Sequence, residues 1–405
     1  MAAHPVDASS GRTLFQAGLA RKILVGFFLS GVLTSFLGAI LPVWRHHLTE
    51  DFVSIGNYFL AMAVGLLWAN AIWKYLLPKR NLAVALSAGC GLACASFLLL
   101  AALAPGAPLW WRIVAVGGIG CGSGLLHIGL FQALTPVYKL NPVAALYLSG
   151  TFFGLGCVVV ALLVAGVFHV YTVPSILIFL AALPGYGAGI FALSGLRVQE
   201  DRQPGPSFRQ AVSDFRSPGA VLLALLLFFQ FGNEWAIAGW LPLYLIRRIG
   251  VSPEGSLALL AAYWLALIVG RMVVLSILPI ISHGKLLGGS VLAALFGCII
   301  LLSTNNRFGA SAGILLVGAG FASVYPLVAE LIGSRFPYYH PGLFNGIFSF
   351  AMVGATLAPW SLGLFASQWG IGVVMLLPLL GTIMAFLLVV LIWAEAKFSR
   401  GLVKP

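Results

Sequence analysis

Long apolar runs separated by short polar breaks make up most of this chain of 405 residues. A helix needs ~20 mostly apolar residues to cross the hydrocarbon core of a bilayer. The runs are continuous rather than alternating, which favours helices over a membrane barrel. The pattern predicts an all-α membrane protein with twelve transmembrane helices, at 23–43, 52–77, 81–104, 109–134, 142–168, 172–195, 219–246, 254–279, 285–303, 308–335, 341–366 and 371–394.

Composition agrees with a chain that lies mostly in lipid. Hydrophobic residues make up 61% of it, charged residues only 8%, and the mean hydropathy is +1.04. An ordinary soluble domain is roughly 25% charged. The expected surroundings are therefore a lipid bilayer, and an ordinary soluble protein is excluded.

The formal net charge of +12 could suggest a nucleic-acid partner, but the basic residues are distributed by side. Sixteen of the 22 Lys and Arg lie in the N-terminal segment, the even-numbered connections and the C-terminal segment. The positive-inside rule then places both termini in the cytoplasm. The positive net charge is therefore explained by the orientation of the chain in the membrane, and we expect no nucleic-acid partner.

The longest polar break, LRVQEDRQPGPSFRQAVSDFRS at 196–217, divides the predicted helices into two sets of six. The resulting organisation has five parts, which are a cytoplasmic tail at 1–22, an N-terminal half at 23–195, a cytoplasmic linker at 196–218, a C-terminal half at 219–394 and a cytoplasmic tail at 395–405.

The two halves repeat each other. FFLSGVLTSFLGAILPVW begins at Phe27 and FFQFGNEWAIAGWLPLYL begins at Phe228, with matching Phe-Phe, glycine and Leu-Pro positions. GIGCGS from Gly118 matches GAGFAS from Gly318 at an offset of 200. Glycines alone are weak evidence in a membrane protein, but a nearly constant offset at separate places predicts a duplicated six-helix unit.

Glu234 breaks this repeat, because the corresponding position in the first copy is Leu33. A charged side chain at the centre of a bilayer costs on the order of 3 kcal/mol on insertion scales. The scaffold does not need the acid, which favours a specific role in binding or proton transfer. The alternative is a neutral or paired Glu234 that locks its helix to a neighbour.

Polar and aromatic residues accompany Glu234 at helical spacing. Gln230 shares its face, and Asn233, Trp240 and Tyr244 form an adjoining stripe. Carboxylate, amide and aromatic groups together suit a polar, ring-shaped ligand. We therefore predict that these five residues bind the solute.

Two six-helix halves joined by a long cytoplasmic loop resemble the major facilitator superfamily, whose substrate lies near the midplane between the halves. GNEWAIAGWLPLYL is similar to the seventh helix of its fucose permease-like (fucose–galactose–glucose:proton symporter) branch, through Glu234, Gly239-Trp240-Leu241 and Tyr244. Gly270-Arg271 and GAGFASVYPLVAELIGSRFP add to the resemblance.

This resemblance implies a secondary active transporter of a small polar solute, specifically a sugar, with the proton as coupling ion and no other cofactor. It also implies a monomer in the bacterial plasma (inner) membrane. An exporter of amphipathic drugs, lipids or metabolites on the same fold is the alternative. Import or export, and proton or sodium, stay open.

The chain departs from that branch in its acids. The branch's fucose transporter has an Asp in helix 1, which is missing here, and a Glu in helix 4, where this chain has His127. Because imidazole titrates near neutral pH, His127 joins Glu234 as a predicted proton-coupling group. The alternative is a neutral His127 that forms a hydrogen bond within the bundle.

Three charged residues near the cytoplasmic ends of their helices, Arg271, Glu330 and Arg335, predict a gate that closes by ion pairing. Gln132 and Asn345 are weaker candidates for the cavity wall, since interhelical hydrogen bonding explains them equally well.

Other chemistry finds little support in the sequence. The five cysteines lie inside apolar runs without a CxxC pair or a His cluster, so we predict neither disulfides nor a metal site. HExxH and aspartate-rich diphosphate motifs are missing. An enzyme is therefore not expected.

Overall fold

The computed structural model describes residues 8–47, 51–75, 82–103, 107–140, 142–194, 215–336 and 347–401, together with residues 196, 209 and 213. This part of the chain is almost wholly helical. Its α-helices are α1 Ala8–His47, α2 Phe52–Tyr75, α3 Leu82–Ala102, α4 Leu109–Leu140, α5 Pro142–Val167, α6 Val173–Ala192, α7 Pro218–Tyr244, α8 Pro253–Ile277, α9 His283–Ser303, α10 Arg307–Phe321, α11 Val324–Arg335, α12 Ile347–Trp369 and α13 Leu376–Gly401.

Twelve spans in the described part are long and apolar enough to cross a membrane, which confirms the predicted fold class. The terminal helices exceed the predicted spans, since α1 starts at Ala8 and α13 continues to Gly401. A helix can continue beyond the hydrocarbon where its residues, such as Leu, Gln and Arg, are good helix formers.

The tenth span is interrupted, whereas the sequence predicts one continuous run at 308–335. Helices α10 and α11 are separated at Ala322 and Ser323. Pro326 has no backbone N–H and cannot bond the carbonyl of Ala322 four residues earlier. The break therefore leaves a backbone acceptor available in the middle of the bundle.

Equivalent glycine contacts hold each half together. Gly156 of α5 lies against the carbonyl of Phe28 in α1, and Gly354 of α12 lies against the carbonyl of Phe228 in α7. A Cβ at either glycine would overlap that carbonyl oxygen. Small residues allow such close helix contact in membranes, and here they occur at matching places in the two copies.

The two halves meet mainly through three helix pairs, α1 with α7, α2 with α12 and α5 with α8, and less extensively through α5 with α11 and α1 with α8. At the end of the bundle away from the chain termini, Gly38 lies against the carbonyl of Ala238. Beside it, Gly56 and Gly363 bring the backbones of α2 and α12 together. These contacts close the space between the halves at that end, which we call the far end.

Trp240 is part of this far-end closure. It is fully buried, with its ring centroid 6.2 Å from that of Phe52 and 5.9 Å from that of Phe59. Its indole N–H donates to the carbonyl of Pro359 at 2.9 Å. One aromatic side chain therefore joins α7 to α2 and α12.

The α2–α12 contact predicts a difference between two glycine substitutions. In Gly363→Ala, the new Cβ would lie 2.6 Å from the carbonyl oxygen of Phe52 and 2.8 Å from the Cα of Gly56. We expect a loss of about 1–3 kcal/mol from overpacking, seen as a lower thermal unfolding midpoint of the purified protein.

Gly289→Ala in α9 is the matched control, because a Cβ there meets no atom within 4 Å. It should be neutral or more stable by about 0.5–1 kcal/mol, as Gly is a poor helix former. Equal midpoints for the two variants would contradict the packing argument.

Candidate functional site

A cavity of about 140 Å³ lies between the two halves. Seven of the eighteen lining residues are aromatic, so its walls are largely apolar. Helices α1, α2, α4 and α5 contribute Phe27, Thr34, Leu66, Ser123, His127, Phe131, Leu146, Ser149, Gly150 and Phe153, and helices α7, α8, α11 and α12 contribute Phe231, Glu234, Trp235, Arg271, Tyr325, Pro326, Phe348 and Met352.

Glu234 is the one carboxylate among these lining residues. Its residue is only 8% exposed, and Phe231 and Trp235 flank it on the same wall. The side-chain amide of Gln230, one turn earlier, donates to Glu234 Oε2 at 3.4 Å. A single weak hydrogen bond compensates little of the cost of burying a carboxylate. The protonation state of Glu234 should therefore depend on what enters the cavity.

Arg271 is the second charged residue on the wall and is 7% exposed. Its Nη1 donates to the carbonyl of Gly150 in the first half at 2.8 Å, and its Nε donates to the carbonyl of Ala322 at 3.2 Å. The second acceptor is the carbonyl released by Pro326. Arg271 therefore links the two halves across the cavity.

Glu234 and Arg271 interact electrostatically, since each contributes to the other's environment. Neither belongs to an ion pair within 4 Å in the described part of the chain. The cavity thus holds two opposite, buried charges that are near each other without direct contact.

Helix α4 contributes one face to the part of the wall that belongs to the first half. Ser123, His127 and Phe131 follow one another at intervals of four residues, so they share one face of the helix. The imidazole of His127 packs against Phe131 with centroids 4.7 Å apart. The hydroxyl of Ser123 lies 3.1 Å from that of Thr34 in α1. This wall offers hydroxyls and an imidazole.

A smaller space of about 60 Å³ continues from the cavity towards the far end. The two share Thr34, Leu66, Trp235 and Met352 in their walls. The smaller space reaches Gly38 and Gly239, beside the closure at that end. Together they trace a path between the halves that stops at the far-end glycines.

A family model describing the Major Facilitator Superfamily matches residues 23–353. The chain belongs to this superfamily. Its fold and family are those of membrane transporters, which move small solutes through a lipid bilayer.

Two relatives lie at low identity. An uncharacterised MFS-type transporter of Yersinia pestis is 23% identical over 331 residues, covering 79% of this chain and 82% of that protein. A glucose/galactose transporter of Brucella abortus is 26% identical over 189 residues, covering 45% of this chain and 44% of its own length.

Solved structures agree in fold. A bacterial homologue of the human drug peptide transporters PepT1 and PepT2 has a TM-score of 0.74 at 14% identity, with 96% of this chain and 100% of that chain covered. The E. coli fucose:proton symporter has a TM-score of 0.63 at 16% identity, with 93% and 99% covered. At these identities the likeness concerns the fold alone.

Of the residues predicted to bind solute, Glu234 lies on the cavity wall and Gln230 contacts it. The structure places Asn233, Trp240 and Tyr244 elsewhere, and none of them lines the cavity. A step of one residue turns a helix by about 100°, which directs Asn233 and Tyr244 into the second half. Trp240 lies between the halves, but in the far-end closure rather than on the cavity wall.

The polar groups of that stripe have partners inside the protein. Asn233 donates to Thr382 Oγ1 at 3.2 Å, and the Tyr244 hydroxyl donates to the carbonyl of Leu301 at 3.1 Å. Trp240 bonds Pro359 in the far-end closure. In this conformation all three act in packing.

The predicted gating residues also have separate partners. Arg335 pairs with Glu395 at 3.1 Å, and Glu330 pairs with His283 at 3.2 Å. Glu330 and Arg335 are five residues apart, about 140° around the helix, so they face different neighbours. Arg271 alone of the three bonds to the other half.

The two weaker candidates for the cavity wall, Gln132 and Asn345, have different outcomes. Gln132 is half-buried outside the cavity lining, and its Oε1 has no hydrogen-bond partner in the described part. Asn345 lies outside the described residues. Sequence reasoning missed Phe231 and Trp235 as wall residues, although both are close to Glu234 on the same helix.

The contact between Gly150 and Arg271 predicts a functional difference within α5. A Cβ at Gly150 would lie 2.5 Å from Nη1 of Arg271 and displace the guanidinium. Hydrogen bonds to charged groups contribute about 1.5–3 kcal/mol, so loss of the bond from Arg271 to Gly150 should raise the barrier to transport by a similar amount. We therefore expect Gly150→Ala to slow the initial rate of solute uptake into proteoliposomes by roughly tenfold or more.

Gly166→Ala, in the same helix, meets no atom within 4 Å and serves as the control. It should retain the rate of the parent protein. A Gly150→Ala rate equal to that of the control would show that Arg271 does not need its place beside α5.

Proposed function

We propose that this protein is a secondary active transporter that moves a small polar solute, a sugar in the first instance, by proton-coupled alternating access. The observation that carries the proposal is Glu234, a buried carboxylate on the wall of a cavity between two duplicated halves. Ionisable residues inside a membrane protein commonly mark solute paths or proton relays.

The closure at the far end supports alternating access. Glycine contacts bring α1 to α7 and α2 to α12 there, while the cavity extends towards the end that holds the chain termini. Rocking of the halves would separate these glycines and expose the cavity on the other side. With both termini in the cytoplasm of a plasma membrane, the conformation described here is closed to the outside.

Two titratable groups support proton coupling. Glu234 and His127 line the same cavity, one from α7 in the second half and the other from α4 in the first half. A proton on Glu234 removes a buried negative charge and changes the energy of every charged group nearby. Proton and solute are then coupled if both favour the same conformation.

A sugar is supported by the mixture of groups on the wall and by one relative. Aromatic rings can stack on the C–H faces of a sugar, and Thr34, Ser123 and Ser149 offer hydroxyls. The Brucella abortus relative is named as a glucose/galactose transporter. The second candidate is an exporter of amphipathic compounds, favoured by the predominance of aromatic and aliphatic residues on the wall.

Glu234→Gln tests the coupling. The amide keeps the size of the side chain but cannot carry a negative charge, so uphill uptake driven by a pH gradient should be abolished. Exchange of solute across the membrane without net proton movement should persist. The measurement is solute-dependent acidification of liposomes that contain a pH dye, beside a counterflow assay.

Asp51→Asn is the matched control. Asp51 is exposed outside the spans, and its carboxylate accepts from the backbone N–H of Ser54 at 2.9 Å. Hydrogen bonds from Ser54 lower the pKa of Asp51, so this substitution also removes a charge at neutral pH. Uphill uptake retained in Glu234→Gln would refute the assignment of Glu234.

The solute class is tested with wild-type protein in the same liposomes. Hexoses, pentoses and amino sugars form one panel, and cationic and neutral amphipathic compounds form the other. Acidification with a member of the first panel supports the sugar symporter. A change in internal pH that occurs only with members of the second panel would favour the exporter of amphipathic compounds over the sugar symporter.

A further inference from the structure

We propose that the transported solute carries an anionic group, bound in the cavity by Arg271, beside an apolar or ring-shaped body. The proposal rests on the function proposed above and specifies the solute further. It concerns the part of the cavity between Arg271, the first turn of α11 and the neighbouring turn of α5, which we call the anion subsite.

The charge of Arg271 has no direct counter-ion. Its two hydrogen-bond acceptors, the carbonyls of Gly150 and Ala322, are neutral. Among the described residues, Glu330 pairs with His283 and Glu395 pairs with Arg335 instead. A buried charge is costly unless an opposite charge or several dipoles compensate it. Because Arg271 lines the cavity, a solute anion can supply the missing charge.

The break in the tenth span places the start of a helix beside Arg271. Helix α11 begins at Val324, and Tyr325 and Pro326 in its first turn line the cavity together with Arg271. The N-terminus of a helix carries a partial positive charge that favours anions, and the C-terminus of α10, which ends at Phe321, offsets part of it. Broken helices in other transporters direct such ends at anionic parts of their substrates.

The hydroxyl of Tyr147 is a third, independent feature. Tyr147 is only 4% exposed, and its hydroxyl has no hydrogen-bond partner in the described part of the chain. It lies close enough to Arg271 for the two groups to interact electrostatically. A phenol O–H without an acceptor is a donor for an anion bound beside Arg271. Tyr147 itself is outside the cavity lining, to which its neighbours Leu146 and Gly150 belong.

The proton and the anion would be linked through charge. The titratable groups that act on Arg271 are Glu234, Tyr147, Tyr325 and Cys157. Glu234 is the one acid among the cavity-lining residues, so its protonation leaves the positive charge of Arg271 uncompensated. An anion would then restore neutrality, and each ligand would raise the affinity for the other.

The other residues of the cavity wall indicate what the rest of the solute is like. Phe153, Phe231 and Trp235 are large and apolar, and they line the cavity together with Glu234 and Arg271. A small monoanion with a ring fits this combination better than a highly charged solute. A sugar acid and an aromatic acid both supply such a ring, and the experiment separates these two sources.

The test uses pairs of solutes that differ in charge. Glucuronate is compared with glucose, and benzenesulfonate, which stays ionised and does not cross lipid by itself, with benzenesulfonamide. Binding to the purified full-length protein is followed by tryptophan fluorescence, to which Trp235 in the cavity wall contributes. Proton uptake is followed in liposomes with a pH dye.

We expect the anionic member of at least one pair to bind roughly tenfold or more tightly than its neutral partner, since 1.4 kcal/mol corresponds to a factor of ten. Arg271→Gln should remove this preference, and Arg271→Lys should retain part of it. Tyr147→Phe, a mild change for folding, should weaken anion binding several-fold and leave neutral solutes unaffected.

Arg247→Gln is the matched control, because Arg247 is exposed at the end of α7 and outside the cavity. It should keep the preference. Preference for glucuronate would identify a sugar acid, and preference for benzenesulfonate an aromatic acid.

Several outcomes would overturn the anion subsite. They are the absence of anion binding in the parent protein, equal binding of charged and neutral partners, and a preference that survives Arg271→Gln. Neutral sugars that drive proton uptake while both anions fail would overturn the subsite and leave the proposed symporter standing. Arg271-dependent anion binding without proton uptake by any solute would support the subsite and refute proton coupling.

Discussion

The need to satisfy every backbone polar group inside hydrocarbon determines much of this structure. A proline within a membrane helix leaves the carbonyl four residues earlier without its usual donor. Two such carbonyls lie where the halves meet. That of Ala238, released by Pro242, lies against Gly38 at the far end, and that of Ala322, released by Pro326, accepts from Arg271. The prolines thereby place backbone dipoles at the interface between the halves.

The duplicated scaffold and the chemistry of the cavity follow different rules. The contact of Gly156 with α1 is repeated by that of Gly354 with α7, because both copies must pack their helices closely. The full charges on the cavity wall, Glu234 and Arg271, both belong to the second half. The first half contributes the imidazole of His127. Packing preserves the symmetry, while the ionisable groups depart from it.

Much of the fold could be predicted because bilayer thickness imposes a length on every span, and apolar runs record that length directly. The buried acid Glu234 was visible for the same reason. The face that Glu234 shares with Trp235 was harder to predict, since α7 is apolar all round and periodicity gives no direction. Asn233 and Tyr244 look like ligands in sequence, but their partners Thr382 and Leu301 come from distant helices. The break in the tenth span was not predicted, although Pro326 lies next to it in the sequence.

The separation between Glu234 and Arg271 matters as much as their charges. A direct ion pair would satisfy both groups, and a solute would then have to break it to gain any charge interaction. Because Glu234 and Arg271 form no ion pair within 4 Å, the charge of each stays without a direct counter-ion. A proton can neutralise Glu234, and a charged solute can pair with Arg271. Arg271 is also bonded to Gly150 in the other half, so a change in its charge balance acts on the contact between halves. Under the proposed function, this arrangement lets a local change of charge at Glu234 alter the relative stability of the two orientations of the bundle.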